Sequence, residues 1–241
     1  MAGHGPLRTL DERLGRAVSG SEFPSSVAEF LADLGNTAVA VPALLVVMVW
    51  AGWRGWRHSR QEGRADGKGP ARWWLPPLAA GLALAAVPAL VVPLKLWLAR
   101  PGPPQMAGGA HAGFYPSGHG ATAAVAYGVA ALLVLGSREG GRPLFAGGRR
   151  AAGVLVGAVA LLNAGVGLGL VRRGYHWPLD VLGSWCLAGV LLAAWCAVCG
   201  VPVDGVRAGG VSVGDSGSGP ATARRAAVDS GGAVAKGDMT G

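Results

Sequence analysis

His176 and Asp180 are two residues whose types and spacing could support catalysis. Pro178 suits the first position of a helix, and residues four apart lie on one side of a helix start. A carboxylate that bonds one ring nitrogen of a histidine fixes its tautomer and leaves the other nitrogen as a nucleophile or base. The same spacing is also typical of an N-terminal cap at a membrane edge, so the pair alone leaves both interpretations open.

The tetrapeptide Pro116-Ser117-Gly118-His119 is a second candidate for chemistry. Proline and glycine shape a tight turn, and Ser117 is a good N-terminal cap for the apolar stretch that follows. A helix N-terminus offers unpaired backbone N–H groups and the positive end of the helix dipole, which together form an anion site. His119 would lie in the first turn, where it could give a proton to a bound anion. A plain helix cap with an interfacial histidine is the alternative.

Four cationic side chains lie near these groups in the sequence. Lys95 and Arg100 lie at the end of the apolar stretch before the tetrapeptide, and Arg172 and Arg173 lie just before His176. Arginine can clamp phosphate oxygens with two donors, while lysine acts as a point charge. Lys95 could also simply extend its ammonium group towards lipid headgroups. Together with the histidines, the cations predict a site that binds a phosphate group.

The elements that must hold these residues are membrane-spanning helices. The chain of 241 residues is 51% hydrophobic and 14% charged, against about 25% charged residues in soluble domains, and its mean hydropathy is +0.40. Five apolar stretches approach the roughly 20 residues that a span needs. They run from about residue 27, most strongly over 38–53, and then over 75–98, 120–136, 151–171 and 179–201. We therefore predict an all-α, polytopic membrane bundle of about five transmembrane helices.

The distribution of lysine and arginine predicts the orientation of these spans. The net charge is +8, and residues 54–72 and 137–150 carry blocks of basic residues, whereas 99–119 carry only Arg100. Because basic loops stay in the cytoplasm, the N-terminus is expected outside and all the candidate residues on the extracytoplasmic face of the cell membrane. The same placement argues against a nucleic-acid-binding protein, since the basic blocks would be loops between spans.

The chain divides into three regions. Residues 1–24 are expected to form an amphipathic or loop segment, in which leucines recur at helical spacing over 6–18. Such a helix would lie on the membrane or be solvated. Residues 25–201 are the predicted membrane domain. Residues 202–241, rich in glycine, serine and alanine without a period, are expected to be a disordered cytoplasmic tail.

Taken together, these residues resemble the type 2 phosphatidic acid phosphatase superfamily, which also includes vanadium haloperoxidases. The family pattern is a lysine followed after six residues by Arg-Pro, then Pro-Ser-Gly-His, then Ser-Arg followed after five residues by histidine and after three more by aspartate. Lys95, the intact tetrapeptide at 116–119, and His176 with Asp180 match this pattern in order and spacing. The resemblance covers about residues 90–190.

Both arginines of the family pattern are displaced here. The first is replaced by Gly102, with Arg100 two residues early; the second is replaced by Leu170, preceded by Gly169 where the family has serine. If the fourth span stays helical past residue 171, Arg173 lies one turn from Leu170 on the same face. Arg100 could act from a loop. Losing one preorganised donor can cost about 10²–10³ in rate.

The resemblance implies a membrane phosphatase that hydrolyses a lipid phosphate or diphosphate, such as an isoprenoid diphosphate or phosphatidic acid, without a metal or cofactor. It implies that His176 attacks phosphorus to form a phosphohistidine, that Asp180 supports the imidazole, and that His119 protonates the leaving oxygen. The expected phosphate contacts are Lys95, Arg100, Ser117, the Gly118 amide, Arg172 and Arg173. The displaced arginines leave an alternative open: a weak or inactive member that binds, transports or scaffolds lipid phosphates.

Overall fold

The computed structural model describes residues 5–65, 72–109, 113–136, 138–139, 142–143 and 148–200. The predicted tail at 202–241 lies outside the described residues. The helices are α1 (Pro6–Ser19), α2 (Ser25–Asp33), α3 (Thr37–Ala65), α4 (Leu75–Leu98), α5 (Gly118–Gly136), α6 (Gly148–Arg172) and α7 (Pro178–Cys199), with a short 3₁₀ helix at Pro104–Gly109. Strands β1 (Arg138–Glu139) and β2 (Arg142–Pro143) form a small antiparallel ladder between α5 and α6. The prediction of an all-α fold is confirmed.

Among the described residues, helices α3 to α7 are the five elements that are long and apolar enough to cross a membrane. The first predicted span is shorter at its start than the apolar pattern suggested, because α2 ends at Asp33 and α3 begins only at Thr37. Prolines 42, 88 and 93 lie inside α3 and α4 without ending either helix, as neighbouring helices in a membrane allow.

Helix α5 lies at the centre of the bundle and packs against α3, α4, α6 and α7. It consists largely of small residues, which let helix backbones approach closely. At Gly120 an added Cβ would lie 2.4 Å from the Ser184 hydroxyl of α7. This close contact holds the start of α5 beside the start of α7.

The antiparallel order of the spans brings the candidate residues to one end of the bundle. The last turns of α4 and α6 and the first turns of α5 and α7 lie at this end. A backbone bond from the Ser117 N–H to the Asp180 carbonyl, 3.0 Å, joins the tetrapeptide to α7. Another, from the Phe114 N–H to the Arg100 carbonyl, 2.9 Å, joins the segment before the tetrapeptide to the end of α4.

Candidate active site

A cavity of about 380 Å³ opens at this end of the bundle. Its walls combine two histidines and one lysine with an acidic residue and apolar groups: Ala32, Asp33, Lys95, Met106, Gly113, Phe114, His119, Leu170, Tyr175 and His176. Lys95, His119 and His176, which are separated widely in the sequence, therefore face one space. A volume of about 380 Å³ is large enough to hold a phosphate group.

The loop between α6 and α7 sets the position of His176. Helix α6 ends in a Schellman motif. The Tyr175 N–H donates to the Leu170 carbonyl at 2.9 Å, and the Gly174 N–H donates to the Val171 carbonyl at 3.0 Å. Gly174 has φ +66°, which glycine adopts without steric cost. The chain then reverses within a few residues, so that His176 reaches the cavity before α7 begins.

Asp180 lies directly behind His176 and is completely buried. Its Oδ2 is 3.4 Å from His176 Nδ1 and accepts the Trp177 backbone N–H at 3.0 Å. A bond through Nδ1 leaves Nε2 as the nitrogen available for chemistry. The His176 ring is also held by an edge contact with Phe114, with the ring centroids 5.9 Å apart.

The tetrapeptide forms the start of α5 as its composition predicts. Ser117 is buried, and its Oγ accepts the Gly120 N–H at 3.1 Å, which makes it the N-terminal cap. Gly118 faces open space, since a Cβ there would meet no atom within 4 Å. His119 is exposed beside it. The helix N-terminus, with its unpaired N–H groups and positive dipole end, therefore opens beside the cavity.

Lys95, in the last turn of α4, is half-buried and lines the cavity. Gly113 packs directly on its backbone, because an added Cβ would lie only 1.8 Å from the Lys95 carbonyl oxygen. This contact requires glycine and holds the segment before the tetrapeptide against α4. Among the described residues that line the cavity, Lys95 is the one lysine or arginine.

Arg100 is close to the pair of His176 and Asp180 but bonds Asp180 rather than facing the cavity. Its Nη1 donates to Asp180 Oδ1 at 2.6 Å, and its Nη2 donates to Asp11 Oδ2. Arg100 does not line the cavity. The expected contact between Arg100 and phosphate stays a prediction, whereas its observed partners are two buried carboxylates.

Arg172 also points away from the cavity. Its Nε donates to the Phe23 carbonyl at 2.9 Å and its Nη1 to the Ser19 carbonyl at 2.7 Å. These bonds hold the connection between α1 and α2 against the end of α6. The structure therefore gives Arg172 backbone partners, and its expected phosphate contact also stays a prediction.

Arg173 lies next to the cavity wall. Its N–H still bonds the Gly169 carbonyl at 2.9 Å, so the helical turn that places it near Leu170 persists. Its guanidinium lies 5.7 Å from the centre of the Tyr175 ring and 3.6 Å from Glu29. Bonding to the Tyr175 side chain, with the charges of Tyr175 and Glu29, raises the pKa of Arg173. Its buried Nε has no partner among the described residues, so one donor is available.

Sequence reasoning did not identify three residues of this region. Asp33, at the end of α2, and Tyr175 line the cavity, and Asp11 of α1 bonds Arg100. Leu170, which stands where the family pattern has arginine, lines the cavity with its buried side chain. Asp11 and Asp33 precede every motif used above, and neither has a neighbour in the sequence that marks it.

Comparison with known proteins finds one matching family and one similar solved structure. The model of the PAP2 superfamily matches residues 76–201. Among solved structures, the chain is similar to a transmembrane PAP2 type phosphatidylglycerolphosphate phosphatase from Bacillus subtilis. The TM-score is 0.61 at 18% identity, covering 83% of this chain and 90% of that one. No curated protein sequence gives a significant match.

Proposed function

The chain belongs to the PAP2 superfamily, and we propose that it is a membrane phosphatase that hydrolyses a lipid phosphate or diphosphate through a phosphohistidine. The observation that carries the proposal is the convergence of His176, His119 and Lys95 on one cavity, with Asp180 buried behind His176. The cavity lies at one end of a bundle that has five candidate membrane spans among the described residues, and we infer that this end lies at the depth of the lipid headgroups.

In the first step, the Nε2 lone pair of His176 attacks phosphorus in line with the leaving oxygen. The N–P bond forms as the P–O bond to the leaving group breaks, and protonated His119 gives its proton to the departing oxygen. Asp180 accepts the Nδ1–H throughout, so that it holds the ring in orientation and stabilises the positive charge that forms on the imidazole.

In the second step, water attacks the phosphohistidine. Neutral His119 takes a proton from that water, the new P–O bond forms, and the N–P bond breaks. His176 recovers its lone pair, inorganic phosphate leaves, and His119 is again protonated for the next turnover. The covalent intermediate divides one difficult hydrolysis into two easier displacements.

Charge on the equatorial phosphate oxygens is neutralised mainly by groups that already face the cavity. Lys95 contributes a point charge, and the start of α5 contributes the Gly118 amide and the positive end of its dipole. Arg173 supplies a guanidinium if it turns from Glu29 towards the cavity. Phosphoryl transfer depends chiefly on such positioning and charge stabilisation.

The substrate is amphiphilic, because its phosphate must reach a site at the end of a membrane bundle while its apolar part stays in lipid. Isoprenoid diphosphates, phosphatidic acid and phosphatidylglycerol phosphate all meet this requirement. The basic blocks at 54–72 and 137–150 favour a cytoplasmic position for those segments, which supports an outward-facing cavity and presentation of the substrate from the outer leaflet.

The test is release of inorganic phosphate by the purified protein in lipid nanodiscs that contain one of these three lipids at a time. Wild type should release phosphate from at least one, and His176→Ala should release none while it retains the wild-type unfolding temperature. Brief labelling with a substrate that carries radioactive phosphorus should leave an acid-labile phosphoprotein in wild type but not in His176→Ala.

A second function is favoured by one observation: apolar Leu170 lines the cavity where the family has arginine. On this alternative the protein binds or carries a lipid phosphate without hydrolysing it. Wild type would then retain the labelled lipid in a binding assay with nanodiscs, Lys95→Met would lose that binding, and neither protein would release phosphate.

A further inference from the structure

Helix α1 contributes a buried carboxylate to the back of the site. Asp11 is 3% exposed, although α1 is otherwise an amphipathic surface helix. Its Oδ1 accepts the backbone N–H of Leu179 at 2.8 Å, and its Oδ2 accepts Nη2 of Arg100. Both oxygens are therefore bonded, and both partners lie next to the residues that carry the proposed chemistry. Asp11 also lies outside the segment 76–201 that matches the family model.

These contacts link Asp11 to the nucleophile in three steps. Asp11 bonds Arg100, Arg100 bonds Asp180, and Asp180 faces His176 Nδ1. The side chain of Arg100 is 16% exposed, and those of Asp11 and Asp180 are 2% and 0% exposed. Two buried carboxylates thus share one guanidinium, whose planar donors fix the direction of both. Buried ion pairs require such fixed geometry to offset their loss of hydration.

A second contact lies one helical turn after Asp11 and packs the same face of α1 against Trp177. At Gly15 a Cβ would lie 2.6 Å from the Trp177 ring, so the helix backbone rests directly on the indole. The Trp177 backbone N–H in turn donates to Asp180, and its indole N–H donates to the Pro101 carbonyl at 3.2 Å. Helix α1 therefore contacts the loop of His176 and the segment of Arg100 together.

We propose that Asp11 is a positioning residue for the phosphatase reaction, acting through Arg100 and Asp180 on His176. The inference rests on the proposed function and extends it to an N-terminal helix that the family motifs do not include. The flank of α1 next to Asp11 and Gly15 exposes Leu7, Leu10 and Leu14, and these leucines suit the helix to lie along the lipid surface.

The physical consequence follows from how Arg100 is held. With both carboxylates in place, Arg100 is clamped from two sides and presents Nη1 to Asp180 in one geometry. Without the Asp11 charge, one side of the clamp is lost, so that Asp180 and then His176 become less well oriented. Misplacement of a catalytic group by about 1 Å can cost 10²-fold in rate. Because His176 attacks bound substrate, the loss should fall on kcat rather than on KM.

The test is Asp11→Asn, with Glu12→Gln as its matched control. Asparagine keeps an oxygen for the Leu179 N–H but removes the charge that bonds Arg100, so α1 should remain docked. Glu12 is the next residue, undergoes the same change of charge, and pairs with Arg8 at 2.9 Å on the helix surface. We expect Asp11→Asn to lower kcat by about 10–100-fold with KM changed less than about threefold, and Glu12→Gln to match wild type.

A double-mutant cycle with Arg100→Met separates positioning from general damage. If Asp11 acts through Arg100, Asp11→Asn should lower kcat little further once Arg100 is absent. Multiplicative losses in the double variant, or wild-type kcat in Asp11→Asn, would overturn the inference. Both results require an active wild type, and so they are distinct from failure of the proposed function.

A spectroscopic measurement decides the inference even if wild type releases no phosphate. In protein labelled with ¹⁵N-histidine, the Nδ1 resonance of His176, assigned with His176→Gln, reports the bond to Asp180. Asp11→Asn should shift this resonance and Glu12→Gln should leave it in place. An unchanged His176 resonance in Asp11→Asn would show that Asp11 serves only to dock α1.

Discussion

Replacement of Arg100 by methionine distinguishes the two roles that sequence and structure give this residue. The family pattern predicts that Arg100 contacts phosphate, whereas the structure pairs it with Asp180 and Asp11. Methionine retains an unbranched side chain of similar length and removes every donor. If Arg100 holds two buried carboxylates, its loss should destabilise the folded protein whether or not substrate is present.

The size of the effect follows from the contacts that remain. Asp180 keeps the Trp177 N–H, and Asp11 keeps the Leu179 N–H, so neither carboxylate loses every donor. Loss of Arg100 breaks two buried pairs, but because each carboxylate keeps a backbone donor we assign to the two together the cost of one fully broken pair, about 3–5 kcal/mol. At roughly 2–4 °C per kcal/mol for a domain of this size, the unfolding temperature should fall by about 6–20 °C. Exposed Arg13→Met should change stability by no more than about 0.5 kcal/mol.

The assay is thermal unfolding in nanodiscs without substrate, followed by tryptophan fluorescence, together with phosphate release at a temperature where all variants are folded. Arg100→Lys should fall between wild type and Arg100→Met, because an ammonium group keeps the charge but cannot present two planar donors. A wild-type unfolding temperature for Arg100→Met, combined with a raised KM, would refute the structural reasoning and support a phosphate contact.

Two further predictions concern the other displaced arginine and the membrane orientation. Arg173→Ala should lower kcat/KM by about 10²–10³, and adding Leu170→Arg should restore part of the lost kcat/KM. Arg172→Ala should leave turnover per folded molecule unchanged, because the partners of Arg172 are backbone carbonyls. If an active enzyme tolerates all three changes equally, phosphate is held by other residues. The orientation can be tested in a variant that lacks the native cysteines. A membrane-impermeant thiol reagent applied to intact cells should label Gln105→Cys and should not label Ser59→Cys. The reverse labelling pattern would show that the predicted orientation is wrong.

The spans and the close approach of His176 and Asp180 were predictable because each depends on a local signal. Apolar runs of sufficient length fix a transmembrane helix whatever its neighbours are. The i, i+4 spacing of His176 and Asp180 brings them together at a helix start, and Ser117 is a cap by its own chemistry. The antiparallel order of the spans then brings Lys95 to the same end without further information.

The partners of the arginines were not predictable, because they depend on how distant segments pack. Helix α4 ends at Leu98, and its C-cap residue Ala99 has φ +44° and donates its N–H to the Lys95 carbonyl at 3.0 Å. That left-handed residue turns the chain out of the helix before Arg100, and helical spacing from Lys95 no longer applies. Likewise, the periodicity of α1 separates its polar face from its apolar face, but it does not show which acidic residue of the polar face is buried, as Asp11 is.

The displacement of both arginines amounts to a redistribution of positive charge across the site. Arg100 bonds Asp180, while Leu170 makes the cavity wall apolar where the family pattern has a cation. On the proposed function, charge compensation for phosphate then falls to Lys95, to the start of α5 and to Arg173, whose buried Nε has no partner among the described residues. Since Arg173 must leave Glu29 to reach the cavity, its contribution depends on the charge of the ligand, and it should grow as negative charge builds up in the transition state.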